Sequence, residues 1–185
     1  GEVAALRALL RDPSDNVLTA ALPALARLQG READDVLLAA VAEREDPQLV
    51  MTAARLLQET DRRQEATAAA LVGLVHLSRD GFETHRDARL ALLDLVEAVG
   101  DSTRVPDVVP YVRDYDPAVA RRAAEVLLEW TGRSWIAAPR ASSPLFFPTP
   151  EEIRAMEGAR VVLHMARGGA IELELLPTVA PTNAF

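Results

Sequence analysis

The chain has 185 residues, of which 49% are hydrophobic and only 4% aromatic, so its core must be built mainly from Ala, Leu and Val. Its 28 acidic and 20 basic residues give a net charge of -8, which argues against nucleic-acid binding because phosphate contacts need clustered cations. The basic residues are all Arg, and Cys is absent, which excludes Lys catalysis, disulfides, thiolate nucleophiles and Cys-ligated metals.

Apolar residues at three- and four-residue spacing predict helices through the first 131 residues. The predicted spans are 2–11, 15–29, 34–43, 47–60, 64–78, 84–99, 103–113 and 117–130. Pro106 and Pro110 predict that the seventh helix is short or irregular. Gly30 and Gly132 predict helix ends. The short polar turns are typical of links between antiparallel helices.

A buried seam recurs within these helices, built from small and aliphatic residues at four-residue steps. Its copies are Val17, Ala21 and Leu25; Leu49, Ala53 and Leu57; Ala88, Leu92 and Val96; and Val119, Ala123 and Leu127. The step from Val17 to Leu49 is 32 residues, and the step from Leu49 to Val119 is 70, or two repeats of 35. A period in this range indicates helix pairs that bury their apolar faces by stacking on one another.

Asp-Pro dipeptides precede three of the seam copies, at residues 12–13, 46–47 and 116–117. Asp accepts hydrogen bonds from the free N–H groups of a first helical turn, and Pro at the first helical position has no N–H to lose. The recurring cap supports one architecture for residues 1–131, a mainly α fold of the αα-superhelix (solenoid) class.

After Gly132 the helical period stops, and residues 132–158 form a Pro-rich linker. Its prolines favour extended chain, whose packing on the helices the sequence leaves open. Thr149-Pro150-Glu151-Glu152 matches a capping box and predicts a short helix at 150–157.

From Arg160 the pattern alternates between apolar and polar residues, which predicts two strands. The apolar positions are Val161, Leu163, Met165, Ile171, Leu173 and Leu175. Gly168 and Gly169 between them suit a tight hairpin turn. Because an isolated hairpin is marginally stable in water, we expect it to be the first edge of a larger sheet.

The helical part resembles HEAT repeats, especially the short bacterial kind, in which Asp-Pro is followed by an aliphatic residue, Ala and Leu at four-residue steps. Residues 46–57 and 116–127 carry this pattern, and the resemblance covers about residues 2–131. It implies a scaffold whose concave surface binds protein or peptide clients.

Residues 161–181 resemble the start of a cyclophilin-type peptidyl-prolyl cis-trans isomerase, which opens with a strand, a Gly turn, an aliphatic-acidic strand and a link to Ala-Pro. The matching positions are Gly168 or Gly169, Ile171, Glu172, Leu173, Leu175, Pro177, Ala180 and Pro181. Thr178 differs, because the family often has an acidic residue there. The resemblance makes residues 159–185 the N-terminal part of a truncated cyclophilin-like barrel.

This second resemblance implies rotation of X-Pro peptide bonds, whose uncatalysed barrier is about 18–20 kcal/mol, without any cofactor. The Arg, Phe, Gln and His residues of the family's proline pocket would all follow Phe185. We therefore expect this chain to be a fragment cut at both ends, inactive by itself, with no catalytic, cofactor-binding or metal-binding residue assigned. The alternative is a HEAT-like interaction scaffold without an enzyme domain.

Several side chains are candidates for metal or ligand sites, and each has a simpler structural interpretation. His76 and His85 lie near Asp80, Glu83 and Asp87 as possible metal ligands, but surface or turn positions are favoured, and His164 is expected to face solvent. Trp130, Trp135, Phe146 and Phe147 suggest either a ligand pocket or, as favoured, a cap on the end of the helical stack. The acidic residues Glu43, Glu45, Asp46, Glu172 and Glu174 are expected to be solvated.

The longest nearly uncharged run, Ala66 to Leu77, is too short to span a bilayer. We accordingly predict no membrane span in these residues. The cellular compartment stays open.

Overall fold

The computed structural model describes residues 2–10, 12–80, 84–141, 149–177 and 179. The chain divides into two compact units, Gly1–Ser143 and Pro144–Phe185. The first unit is helical, and the second contains a two-stranded antiparallel sheet. The prediction of a mainly helical chain with a C-terminal hairpin is confirmed.

The helices of the first unit follow the predicted order. They are α1 Glu2–Leu9, α2 Asp15–Gln29, α3 Asp34–Glu43, α4 Pro47–Leu56, α5 Arg63–Leu77, α6 Arg86–Val99, α7 Val105–Val108 and α8 Pro117–Thr131. Short 3-10 helices cover Gly30–Ala33, Ser102–Arg104 and Val109–Arg113. The break-up of 103–113 into short pieces confirms the effect expected from its two prolines.

Helix α1 ends at Leu9, two residues before its predicted end, and boundaries of α4 and α6 are wrong for local reasons. Helix α4 ends at Leu56 because the next three residues form a turn, whereas the apolar pattern predicted a helix to residue 60. Helix α6 begins at Arg86, two residues later than predicted, because the backbone of His85 is left-handed at φ 53°.

The Asp caps are confirmed at two of the three Asp-Pro sites. Asp46 Oδ1 accepts the N–H of Leu49 at 2.8 Å, and Asp116 Oδ1 accepts the N–H of Ala118 at 2.8 Å. At the first site Asp12 instead accepts the N–H of Ser14, and the helix starts after that turn. Pro13 is therefore not at the first helical position.

The helices that carry the seam pack on one another in chain order, α2 on α4, α4 on α6 and α6 on α8, while α3 packs on α5. The predicted seam lies in these contacts. All three residues are 0% exposed in the second copy, Leu49, Ala53 and Leu57, and in the fourth copy, Val119, Ala123 and Leu127. In the first copy Ala21 and Leu25 are buried, but Val17 is only half-buried. One continuous apolar core therefore runs through the unit.

The close approach of α3 and α5 depends on Gly73. A Cβ at this position would lie 2.7 Å from the backbone oxygen of Val41 and 3.3 Å from Leu92. Because a carbonyl oxygen cannot move aside as a flexible side chain can, any larger residue would push the two helices apart.

A buried ion pair joins α6 to the segment before α8. Arg89 is 1% exposed, and its Nη1 donates to both carboxylate oxygens of Asp114 at 2.7 and 2.8 Å. Asp114 also accepts the backbone N–H of Asp116. The carboxylate thereby connects two elements that are distant in sequence.

The chain after α8 packs on the last helices. The N–H of Ala138 donates to the oxygen of Val112 at 2.8 Å, and the N–H of Arg140 donates to the oxygen of Asp114 at 3.1 Å. The Arg140 guanidinium also lies 4.4 Å from the centre of the Tyr115 ring. Residues 133–140 are therefore anchored to the helical unit.

In the second unit, α9 spans Pro150–Ala155 and opens with the predicted capping box. Glu152 accepts the N–H of Thr149 at 2.7 Å, and Thr149 Oγ1 accepts the N–H of Glu152 at 3.3 Å. The helix ends two residues before the predicted position 157.

The hairpin pairs β1 Arg160–His164 with β2 Ala170–Glu174. Val161 lies opposite Leu173 and Leu163 opposite Ile171, so the predicted apolar positions share one face. The turn uses the predicted positive φ at Gly168 and Gly169, 91° and 89°. All ten strand residues are exposed.

Candidate protein-binding surface

A groove of about 500 Å³ runs between α3 and α5 on the outside of the helical unit. We call it the α3–α5 groove. Its apolar residues are Leu38, Ala39, Ala42, Ala68, Ala69 and Val72, and its polar residues are Asp35, Glu43, Arg62 and Glu65. The two helices therefore present an apolar floor with charged edges.

The α5 side of the groove is apolar because α5 carries apolar residues on nearly every side. Its buried residues, such as Ala70 and Leu74, face the neighbouring helices. Ala68, Val72 and Val75 form an outer stripe at i, i+4 and i+7, where Val72 is 43% and Val75 61% exposed. Exposed aliphatic side chains at this spacing are available to a partner.

Ion pairs join the matching ends of α3 and α5, which shows that the two helices run in the same direction. Arg62, just before α5, pairs with Asp35 in the first turn of α3. Arg79, just after α5, lies 3.6 Å from Glu45, just after α3. The groove therefore has a distinct N-terminal end and C-terminal end.

At the N-terminal end, Arg62 binds two carboxylates. Its Nε donates to Glu65 Oε1 at 2.9 Å, and its Nη1 donates to Asp35. The hydrogen bond from Arg62 lowers the pKa of Glu65, and the bonds to Glu65 and Asp35 raise the pKa of Arg62 above its usual value. Arg62 and Glu65 are therefore both charged at neutral pH.

A second cleft of about 310 Å³ adjoins the α3–α5 groove. It lies among α1, α2 and α3, and it shares Asp35, Ala39 and Glu43 with the groove. Leu18 and Leu22 contribute apolar walls. Helix α3 thus separates two adjoining depressions on one surface.

A third cleft, of about 480 Å³, is more polar. It is lined by Arg63, Thr67, Asp101 and Arg104, among others. Hydrogen bonds from Thr103 lower the pKa of Asp101, which balances nearby arginines. This cleft offers less apolar surface than the α3–α5 groove, so it suits a peptide's aliphatic side chains less well.

The two histidines that the sequence suggested as metal ligands lie on different elements. His76 lies on α5, His85 directly precedes α6, and Glu83 lies outside the described residues. In the part of the chain that the structure describes, no three His, Cys, Asp or Glu side chains are grouped so that they could hold a metal ion. His164 is exposed on β1, as predicted.

The acidic residues between α3 and α4 have three different roles. Asp46 caps α4, Glu45 pairs with Arg79, and Glu43 faces the α3–α5 groove. On the hairpin, Glu172 and Glu174 are exposed like every other strand residue, and they alternate with Ile171 and Leu173 along β2.

The two tryptophans pack on the end of the helical core, and both are partly buried against it. Trp135 Nε1 donates to Thr131 Oγ1 at 3.3 Å, and its ring lines a small cleft of about 270 Å³ beside Leu128. Their position agrees with the expected cap, while Phe146 and Phe147 lie outside the described residues.

Val72, Val75 and Leu38 are not among the site residues predicted from the sequence. The available signal was the nearly uncharged run from Ala66 to Leu77, which was interpreted only in relation to a membrane span. The described helices include none long and apolar enough to cross a bilayer. A shorter apolar run on a helix at the surface instead leaves an exposed stripe.

Comparison with models of known protein families, with curated proteins and with solved structures finds no significant match for this chain.

Proposed function

We propose that the helical unit is a HEAT-like solenoid that binds a protein partner through the α3–α5 groove. The observation that carries this proposal is the exposed apolar stripe of Ala68, Val72 and Val75 on α5, of which Ala68 and Val72 line the groove opposite α3. Packing against neighbouring helices buries residues such as Ala70 and Leu74 of α5, whereas this stripe is left to solvent. A groove between two helices accepts a segment that lays its apolar side chains along it.

Binding in the groove is tested with an array of short peptides that tile diverse protein sequences. Val72→Glu places a charge in the groove floor and should abolish binding, because a buried carboxylate without a partner is strongly unfavourable. Leu128→Glu is the matched control, since Leu128 is 47% exposed and Val72 43%, but Leu128 lies on α8. Equal binding by both variants would contradict the proposed site.

We propose further that the hairpin opens a cyclophilin-type domain, which would make the protein a prolyl isomerase with its own client-binding scaffold. The supporting features are the Gly turn, the aliphatic-acidic alternation of β2 and the pairing of Leu163 with Ile171 on one apolar face. A scaffold that holds a client raises the local concentration of its X-Pro bonds near the catalytic domain.

This second proposal is tested by a prolyl isomerisation assay on the whole gene product and on residues 1–185, with cyclosporin as inhibitor. Cyclosporin-sensitive activity of the whole product, with none in residues 1–185, is the expected result. No activity in a folded whole product would contradict the isomerase proposal.

The second candidate function is an interaction scaffold without catalysis. It is favoured by the position of the α3–α5 groove, all of whose residues lie within Gly1–Ser143. Peptide binding at the groove combined with an inactive whole gene product would select it.

A further inference from the structure

We infer that the partner of the α3–α5 groove is an amphipathic helix that carries a basic residue beside Glu43. The inference rests on the proposed function, and it adds the chemical class of the partner. It follows from the spacing of the apolar stripe and from the charges at the two ends of the groove.

The apolar stripe fits a helix because its own spacing is helical. Ala68, Val72 and Val75 lie at i, i+4 and i+7, a rise of about 10.5 Å along α5. A partner helix with aliphatic residues at the same spacing places one side chain beside each of these positions. Side chains of packed helices interlock in this way, as ridges in grooves.

The C-terminal end of the groove has an available carboxylate. Glu43 is exposed, and within the described residues it has no hydrogen bond or ion pair. The neighbouring arginines are engaged elsewhere: Arg44 pairs with Asp15 at 3.1 Å, and Arg79 lies near Glu45. A cation from a partner would therefore meet an unneutralised charge.

The helix ends strengthen this preference for a cation. Helices α3 and α5 both finish at the Glu43 end, and the carbonyl groups of a last helical turn carry partial negative charge. This field adds to that of the Glu43 carboxylate.

The rest of the groove disfavours an acidic partner. At its N-terminal end the single cation of Arg62 is shared by Asp35 and Glu65. Counting all groove residues gives three carboxylates, Asp35, Glu43 and Glu65, against one guanidinium. An acidic side chain on the partner would therefore meet net repulsion, most strongly at the Glu43 end.

The probe for this inference is a labelled amphipathic peptide with Leu at i, i+4 and i+7 and Arg at i+11. Two matched peptides carry Gln or Glu in place of Arg. Fluorescence anisotropy with residues 1–185 should show about threefold tighter binding of the Arg peptide than of the Gln peptide, with the Glu peptide weakest, as expected for a partly exposed ion pair.

Substitutions at Glu43 assign the charge effect to one residue. Glu43→Gln should remove the difference between the Arg and Gln peptides, and Glu43→Arg should make the Glu peptide the tightest. The matched control is Glu129→Gln, an exposed Glu on α8, which should leave the wild-type order unchanged.

The outcomes separate this inference from the proposed function. Binding that Val72→Glu abolishes, but that is equal for all three peptides or unaffected by Glu43→Arg, would overturn the basic-partner inference and keep the groove. Absence of binding by all three peptides would overturn the inference, and the peptide array would then decide the groove independently.

Discussion

Aliphatic side chains at regular spacing are buried in the helical unit but exposed in the hairpin of the second unit. In the helical unit, seam residues such as Leu49 and Leu127 are 0% exposed. In the hairpin, Leu163 and Ile171 also lie on the predicted apolar face, yet they are 46% and 47% exposed. Periodicity therefore identifies an element and its apolar face, but burial requires a neighbouring element.

In the helical unit, other helices of the same unit supply that neighbour. Each helix that carries a copy of the seam packs on the helix that carries the next copy, so the apolar face of one copy covers that of another. Within α5 the same logic explains the exposed stripe, since no neighbouring helix covers Val72, which is 43% exposed. The contrast between covered and uncovered apolar residues leads to the following predictions.

The largest effect is expected at the buried ion pair. Asp114→Ala should lower the free energy of unfolding by about 3–5 kcal/mol, because it leaves the Arg89 guanidinium buried without a counter-charge. Urea denaturation followed by circular dichroism measures the change. The control is Glu174→Ala on the exposed hairpin, which should change it by less than about 0.5 kcal/mol. Equal effects would remove the distinction between the units.

Truncation of a seam residue should also be costly. Leu92→Ala should destabilise the helical unit by about 2–5 kcal/mol, because it leaves a cavity in a fully buried core. Leu173→Ala removes the same atoms from a side chain that is 44% exposed, and it should leave the helical transition unchanged. A shift of that transition by Leu173→Ala would contradict the account.

The two units also depend on glycine for different reasons. Gly73→Ala should destabilise the helical unit by about 1–3 kcal/mol, because its Cβ would collide with the Val41 oxygen. Gly168→Ala meets no neighbouring atom and acts only through its positive φ. Amide hydrogen exchange should therefore report faster exchange in α3 and α5 for the first variant and in the hairpin for the second.

The smallest effect depends on pH and concerns Asp116, which is fully buried. Burial alone would raise the pKa of its carboxyl, but hydrogen bonds from Arg86 and from the N–H of Ala118 more than offset this, and the pKa lies below its usual value. A lowered folded-state pKa stabilises the protein above the unfolded-state pKa of about 3.9, and this contribution is lost as the pH falls through the folded-state pKa.

Asp116→Asn should therefore lower the urea midpoint at pH 7, and the difference from the wild type should shrink below about pH 4. Asn preserves the helix cap, so the comparison isolates the charge. A difference that stays constant over this pH range would show that the lowered pKa contributes nothing to stability.

The sequence predicted the elements best where a chemical signal marked their ends. Helix α2 follows its predicted span because Gly30 supplies a stop at φ 56°, and α9 starts as predicted because Thr149 and Glu152 cap each other. The end of α4 was wrong because Leu57 continues the apolar pattern into a turn. Apolar spacing alone does not mark where a helix ends.

The candidate site was less predictable than the fold. Helix α5 is apolar around its axis, so its sequence does not indicate which stripe the neighbours leave uncovered. Arg89 reads as an ordinary surface residue in the sequence, and only the position of Asp114 in the fold accounts for its burial. Both features arise from packing between helices that are distant in sequence, which the sequence pattern of a single helix does not contain.

The proposed function joins a client-binding scaffold to a prolyl isomerase. Its most direct test compares two substrates of the whole gene product, a short X-Pro peptide and the same peptide joined to the amphipathic Leu/Arg helix. We predict a higher kcat/KM for the joined substrate, with the advantage lost in Val72→Glu and kept in Leu128→Glu. Equal kcat/KM values for both substrates, or no isomerisation of either, would contradict the account.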